Sequence, residues 1–213
     1  MDWTSRFADR VCTMEQAIDL VRPTDRVMGG LPEPASFLEA LANRSDLADV
    51  ELFLSAPRIG GIAVAGNPGI QVYASFLTQA VRKAGVAIEV LPVGFHGWVG
   101  FIRRWAPRVR VVLMATPTAA GVVHAGGSVA ADDELVHGRI GRPDDAVVIG
   151  IVDPNQPLIP GYTYRVEDFD ALVPLPADTP PPIYDERKIS TFLDCFVGAL
   201  DELIPDEATL QAG

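Results

Sequence analysis

The chain has 213 residues and a formal charge of −11, from 17 Lys and Arg against 28 Asp and Glu. That balance excludes the basic face a nucleic-acid binder carries, and no apolar run reaches the ~20 residues that cross a bilayer. Hydrophobic residues make up 48% and charged residues only 21%, which suits a sheet covered on both faces or a large subunit interface. The first ten residues carry charges throughout and lack a signal-peptide core, so a cytoplasmic location is expected. Cys12 and Cys195 show neither CxxC nor a Cys/His spacing suited to zinc. They read as buried thiols, and no metal site is expected. The length fits one large α/β domain, or one domain with a small appendage.

In chain order, Thr13 can cap a helix over 14–21 that Pro23 and Asp25 terminate. A short strand over 26–28 runs into Gly29 and Gly30. The spacing of Phe37, Leu38 and Leu41 predicts a helix over 34–42, and a strand follows at 50–54. Residues 60–69 are too rich in glycine and alanine for regular structure and read as a loop. They lack the Gly-Lys-Ser/Thr of a phosphate-binding loop, which argues against a nucleotide site. A helix over 73–84 closes at Gly85, and strands are expected at 86–93, 109–114 and 146–152. Alternating strands and helices predict an α/β fold with a mainly parallel sheet flanked by helices.

Residues 174–182 hold five prolines in nine positions and read as an extended linker, unable to be helix or central strand. Beyond it, 184–203 carries Ile189, Phe192, Leu193, Phe196, Val197 and Leu200 on one side of an amphipathic helix. The division expected is therefore an α/β domain over 1–173, a linker over 174–183, and a helix and tail over 184–213.

The run at 109–114 reads as a strand buried on both faces. It breaks at Pro117, crosses small residues, and restarts with His124 among Gly121, Gly126 and Gly127. Open α/β sheets hold ligands outside the carboxyl ends of their strands, so this connection is a candidate site; an ordinary tight turn with a surface histidine is the competing reading. His96 sits among Gly94, Gly97 and the end of the preceding strand, and can be placed the same way. Two imidazoles on adjacent loops could serve as acid and base near neutral pH, or could simply be hydrogen-bonded loop residues. Glu33, between Pro32 and Pro34, is the one acid in a glycine–proline loop; it is either a pocket group or a charge near a helix N-terminus. Arg103, Arg104 and Arg108 form the only basic cluster and read as a solvated helix face with Trp105 on the core side.

Thr116, Pro117, Thr118, Gly121, Gly126, Ser128 and Val129 fall in register with a segment of the family I CoA-transferases of the acetyl-CoA hydrolase/transferase type, including 4-hydroxybutyrate and acetate CoA-transferases. The chain resembles that family elsewhere too: at 1–27, at Gly29 to Pro34 with the 37–41 helix, at Val152 to Pro157, and at Asp206 to Gln211. It departs from the pattern at Thr118, where the family has an acid, at His124, where it has a serine, and at Val122, where it has an aromatic residue.

The resemblance implies a NagB/RpiA-like CoA-transferase domain. It implies an acyl-CoA thioester as substrate, with no tightly bound cofactor, and a nucleophilic glutamate in a second half lying beyond this chain. The chain would be the α-type subunit of an αβ or α2β2 heteromer whose separately encoded β-type partner supplies that glutamate. The substrate pocket would be lined by Gly30, Glu33, Asn67, Thr118, Gly121 and Ser128, with His96 and His124 as catalytic candidates. The departures leave hydrolysis, C–C cleavage or a scaffolding role as alternatives to transfer.

Overall fold

The computed structural model describes residues 3–125, 132–159, 161–180, 204 and 207–209. The chain divides into two compact units, 1–179 and 180–213. Ser128, Cys195 and the helix expected over 184–203 lie outside the described residues.

The first unit is built on a seven-stranded parallel sheet. Numbered in chain order, its strands are β1 (Arg26–Gly29), β2 (Val50–Leu54), β3 (Ile70–Ala74), β4 (Glu89–Val90), β5 (Val109–Met114), β7 (Val147–Val152) and β9 (Ala171–Pro174), arranged β4-β3-β2-β1-β5-β7-β9. A separate antiparallel pair joins β6 (Val122–His124) to β8 (Thr163–Arg165). The helices are α1 (Trp3–Arg6), α2 (Met14–Ile18), α3 (Ala35–Ala42), α4 (Ile59–Val64), α5 (Gln79–Ala84), α6 (Trp98–Trp105) and α7 (Asp132–His137). No helix is long and apolar enough to cross a membrane among the described residues.

Burial on both faces explains why the central strands read as continuous apolar runs. Val27, Leu52, Val109, Val111, Ile149 and Ile151 pack on one side with Phe37, Leu38 and Leu41 of α3. Met28, Phe53, Val112, Met114 and Val148 pack on the other with Trp98 and Ile102 of α6 and Leu135 and Val136 of α7. Alternate residues of one strand serve opposite cores, as the period of two requires.

Four expectations change. The 60–69 segment is not a loop: α4 occupies Ile59–Val64. Its glycines serve close packing, since a Cβ on Gly60 would meet Ala35 Cα at 2.8 Å and one on Gly61 would meet Pro57 Cβ at 2.3 Å. The helix expected over 73–84 is shorter, because Tyr73 and Ala74 close β3 opposite Phe53 and Leu54; α5 starts only at Gln79, capped by Thr78 and ended by Gly85 at φ +66°. The strand expected over 86–93 shrinks to Glu89–Val90. Pro174, expected to open the linker, is instead the last residue of the edge strand β9, opposite Val152, where a missing N–H costs least. Thr13 caps α2 as read, and reciprocally with Gln16. Cys12 is a free, half-buried thiol that burial pushes up from its ordinary value.

Candidate functional site

From β1 the chain winds outward through β2 and β3 to β4, then crosses back to β5 on the far side of β1 and continues to β7 and β9. The winding reverses between β1 and β5, the topological switch point where doubly wound sheets open a crevice at their carboxyl ends. Segments 30–34 and 115–121 flank it. The Gly30 N–H donates to Val111 O on β5 at 2.7 Å, which ties the first residue of one loop to the neighbouring strand.

Glu33 lies in this loop, with its carboxylate turned onto the start of α4. It accepts N–H bonds from Arg58 at 2.8 Å, Gly60 at 3.0 Å and Gly61 at 3.1 Å. Burial raises its carboxyl above the usual range, and the three N–H groups and Arg58 only partly oppose that. The side chain therefore fastens the β1 loop to the β2 loop by satisfying helix donors that would otherwise lack partners. The sequence reading would place the charge at the N-terminus of the next helix, α3; the carboxylate meets α4 instead.

Asp132, which sequence reasoning missed, is a further buried acid at the switch point. Only 3% exposed, it accepts the Leu31 N–H at 3.1 Å and lies against Gly30. A Cβ on Gly30 would come within 2.6 Å of its Oδ1, so glycine is required there by the carboxyl group. Burial pushes Asp132 up to about 7, opposed only by that one N–H. Tyr164, opposite Val123 in the small sheet, is 2% exposed, and its hydroxyl has no hydrogen-bond partner among the described residues. Burial raises its phenol strongly, and Asp132 is the leading charge acting on it. His137 packs edge-on to the Tyr164 ring at 5.3 Å and bridges Asp133 at 3.0 Å and Asp168 at 3.2 Å. Burial lowers its imidazole, but the two carboxylates prevail and raise it. Asp132, the first of three consecutive acids (Asp132, Asp133 and Glu134), carries no sequence signal that sets it apart; only its depth in the fold does.

Thr118 and Gly121 form the turn into β6. Gly121 N donates to Thr118 O at 2.9 Å and Thr118 N to Val122 O at 2.8 Å. Gly121 sits at φ +81° with its α-carbon against Phe7, where a Cβ would fall 2.6 Å from the ring. Thr118 is exposed and His124 half-buried, with Nδ1 3.3 Å from Ile159 O. His96 is exposed in the single 3-10 turn Phe95–Gly97 that follows β4. The two imidazoles leave different strands: His96 follows the edge strand β4, whereas His124 ends β6 in the small antiparallel pair, and β3, β2 and β1 lie between β4 and β5 in the strand order. Asn67 stands at the opposite, amino edge of the sheet. It donates to Ala42 O at 3.1 Å and Arg44 O at 2.6 Å and accepts from Gly69 N at 2.9 Å, so it secures the turn from α4 into β3.

Arg103 and Arg108 of the basic cluster are engaged in structure, whereas Arg104 is exposed, as read. Arg103 makes two 3.0 Å bonds to Glu134, and Trp105 stacks on Phe101 at 5.6 Å. Arg108 is buried rather than solvated, and holds Asp25 through 2.6 and 2.5 Å bonds. Arg110, hidden inside β5 at 1% exposure, donates to the carbonyls of Glu134, Leu135 and Gly138 at the end of α7. Among the described residues no group of three His, Cys, Asp or Glu is placed to hold a metal ion. Clefts of about 580 Å³ at the amino edge, beside Thr24, Glu51 and Arg108, and about 630 Å³ beside Cys12 and Val173 contain none of the predicted pocket residues.

No protein-family model matches the chain, and no curated protein matches its sequence. Solved structures do. RipA from Yersinia pestis superposes with a TM-score of 0.84 at 19% identity, over 100% of this chain and 52% of its own. A 4-hydroxybutyrate CoA-transferase from Porphyromonas gingivalis gives 0.69 at 20% identity, over 100% of this chain and 50% of its own. A variant of the decarboxylase AibA/AibB gives 0.52 at 16% identity, over 91% and 94%. The fold is CoA-transferase-like. The chain spans about half the length of RipA and of the 4-hydroxybutyrate CoA-transferase.

Proposed function

We propose that the chain is the α-type half of a heteromeric CoA-transferase-like enzyme acting on an acyl-CoA thioester. In this reading a separately encoded partner supplies the nucleophilic glutamate, and the loops around Gly30, Thr118, Gly121 and Ser128 form one wall of the pocket. The observation that carries it is the superposition of the whole chain on half of a 4-hydroxybutyrate CoA-transferase, with the switch-point loops at the place where the sequence follows that family's pattern. The carboxyl edge adds support. Ile59, Val99, Leu158 and Tyr162, on segments that follow β2, β4 and β7, are 69, 39, 64 and 56% exposed, and monomers seldom leave large apolar patches uncovered. The carboxylate nucleophile needs oxyanion donors and a water-poor seam, which two halves closing over the carboxyl edge would provide as an αβ pair or α2β2.

The test is to co-express the chain with its encoded second half, measure mass by size exclusion with light scattering, and assay loss of acetyl-, butyryl- and 4-hydroxybutyryl-CoA with acetate as acceptor. The reading expects a heteromer that consumes thioester only when both halves are present. A 213-residue monomer unchanged by the second half refutes it.

A second reading, C–C cleavage of an acyl-CoA on the same scaffold, draws on the decarboxylase among the structural neighbours and on the histidines at 96 and 124. A general base at His96 predicts that His96→Ala lowers kcat by about two to four orders of magnitude; retained activity removes His96 from the chemistry.

A further inference from the structure

The turn between β5 and β6 is held from outside the sheet by the first residues of the chain. Thr118, Ala119 and Ala120 are exposed there. The turn's own bonds join Thr118 N to Val122 O, Gly121 N to Thr118 O, and Val122 N to the Thr118 hydroxyl at 3.1 Å. Two further contacts come from far along the sequence. The Arg6 guanidinium, at the end of α1, donates to Ala119 O at 2.7 Å across 113 positions. The Phe7 ring meets the bare α-carbon of Gly121 with its edge, so that a Cβ there would fall 2.6 Å from Cζ, and Arg6 lies over the same ring at 5.4 Å.

The segment that carries these side chains is itself fixed on both sides of them. Trp3 is buried in the core that contains Val123 of β6. The Arg10 guanidinium donates to Phe169 O. Leu172 of β9 donates to Arg10 O at 2.7 Å and accepts from Cys12 N at 3.0 Å. A solvent-facing turn with a left-handed glycine has several conformations open to it, and support from a rigid segment selects one.

We propose that Arg6 and Phe7 are positioning residues for the candidate site: they hold the Thr118–Gly121 turn in one conformation, so that the wall it offers an acyl-CoA is formed before binding. The inference rests on the acyl-CoA reading for the ligand. Phe7 sets the height of the turn at Gly121, and Arg6 ties down its tip at Ala119. A wall that must be ordered when the ligand arrives subtracts that ordering from affinity. Loosening the turn therefore raises KM more than it lowers kcat.

The experiment uses the full chain assembled with its partner half. Arg6→Ala, Arg6→Lys, Phe7→Ala and Phe7→Leu are compared with wild type by amide hydrogen exchange, thermal melts, and KM and kcat for acetyl-, butyryl- and 4-hydroxybutyryl-CoA. Arg6 is exposed, so Arg6→Ala tests the contact without opening the core. In both alanine variants, exchange at Gly121 and Val122 is expected to speed up about fivefold, with β7 unchanged. KM is expected to rise about fivefold with kcat within twofold, and Arg6→Lys and Phe7→Leu should recover most of both effects. Unchanged exchange at the turn in both alanine variants overturns the proposal. So does faster exchange with an unchanged KM, or a fall in kcat that only follows a lowered melting temperature, because the contacts would then support the fold and not the site. If wild type consumes none of the three thioesters, the acyl-CoA reading fails, and exchange alone judges the brace: acceleration confined to the turn keeps it, and none removes it.

Discussion

The two edges of the same sheet are built to opposite rules. At the amino edge the buried Arg108 holds Asp25, the more exposed Arg26 meets Glu51 at 2.7 Å, and Asn67 satisfies three backbone groups. At the carboxyl edge Asp132 has a single N–H, Tyr164 has no partner among the described residues, and large apolar side chains face solvent. Full satisfaction stabilises; incomplete satisfaction at a strand's carboxyl end marks where a ligand or a partner belongs. The difference is one of degree: at the carboxyl edge Glu33 and Asp153 also tie loops together, but Asp132 and Tyr164 keep bonding capacity unspent among the described residues.

Perturbing each edge should separate these roles. The largest effect is expected from Arg108→Ala, which leaves Asp25 buried without its guanidinium. Breaking a buried pair costs about 3–5 kcal/mol, or a fall in melting temperature of roughly 10 °C for a chain of this size. Calorimetry showing less than about 1 kcal/mol would mean the pair is screened and the amino edge is no stronger than the other.

Next comes the pH response of Asp132. Its folded-state carboxyl is raised to about 7 from an ordinary 3.8, so the folded protein binds this proton more tightly than the unfolded chain does. Stability from this group is therefore complete below about pH 4 and lost as pH rises from there through about 7. The loss over that whole range is on the order of 4 kcal/mol, since one pKa unit is worth about 1.36 kcal/mol. Urea melts of wild type and Asp132→Asn from pH 5 to pH 8 should show the downward slope in wild type and its disappearance in the variant. Parallel slopes would place the titration elsewhere, with His137, Asp133 and Asp168 the first groups to examine.

Glu33→Ala should cost about 1–2 kcal/mol, the loss of a side-chain acceptor for helix N–H groups. Hydrogen exchange should speed up at Gly60 and Gly61 and remain unchanged in α3. Uniform acceleration would show that the loop contact supports the whole unit rather than one helix. The smallest stability effect is expected from His96→Ala, an exposed turn residue, within about 0.5 kcal/mol of wild type by chemical denaturation; a larger loss would expose a contact that ties the β4 edge down.

The sequence by itself determined the architecture. The segments 50–54, 109–114 and 146–152 read as strands, that at 109–114 as one buried on both faces, and the Thr13 cap, the Gly85 terminator and the proline-rich segment punctuated the elements between them. These signals are local, because period, capping and ring constraint act over a few residues. It also pointed to the connection after β5 and to Glu33, since glycine and proline loops at strand ends are readable without a fold. Only the tertiary structure decided which loops are neighbours. Topology put His96 after the edge strand β4 and His124 in the separate β6–β8 pair and set Asn67 at the amino edge, while close packing against α3 outweighed the glycines' poor propensity and made a helix of 59–64. It alone brought Asp132 against Gly30, about a hundred residues away along the chain, and buried Tyr164 between His137 and Phe169. Burial is a property of the assembled layers, and it turns an ordinary aspartate and tyrosine into the most unusual oxygens of the site.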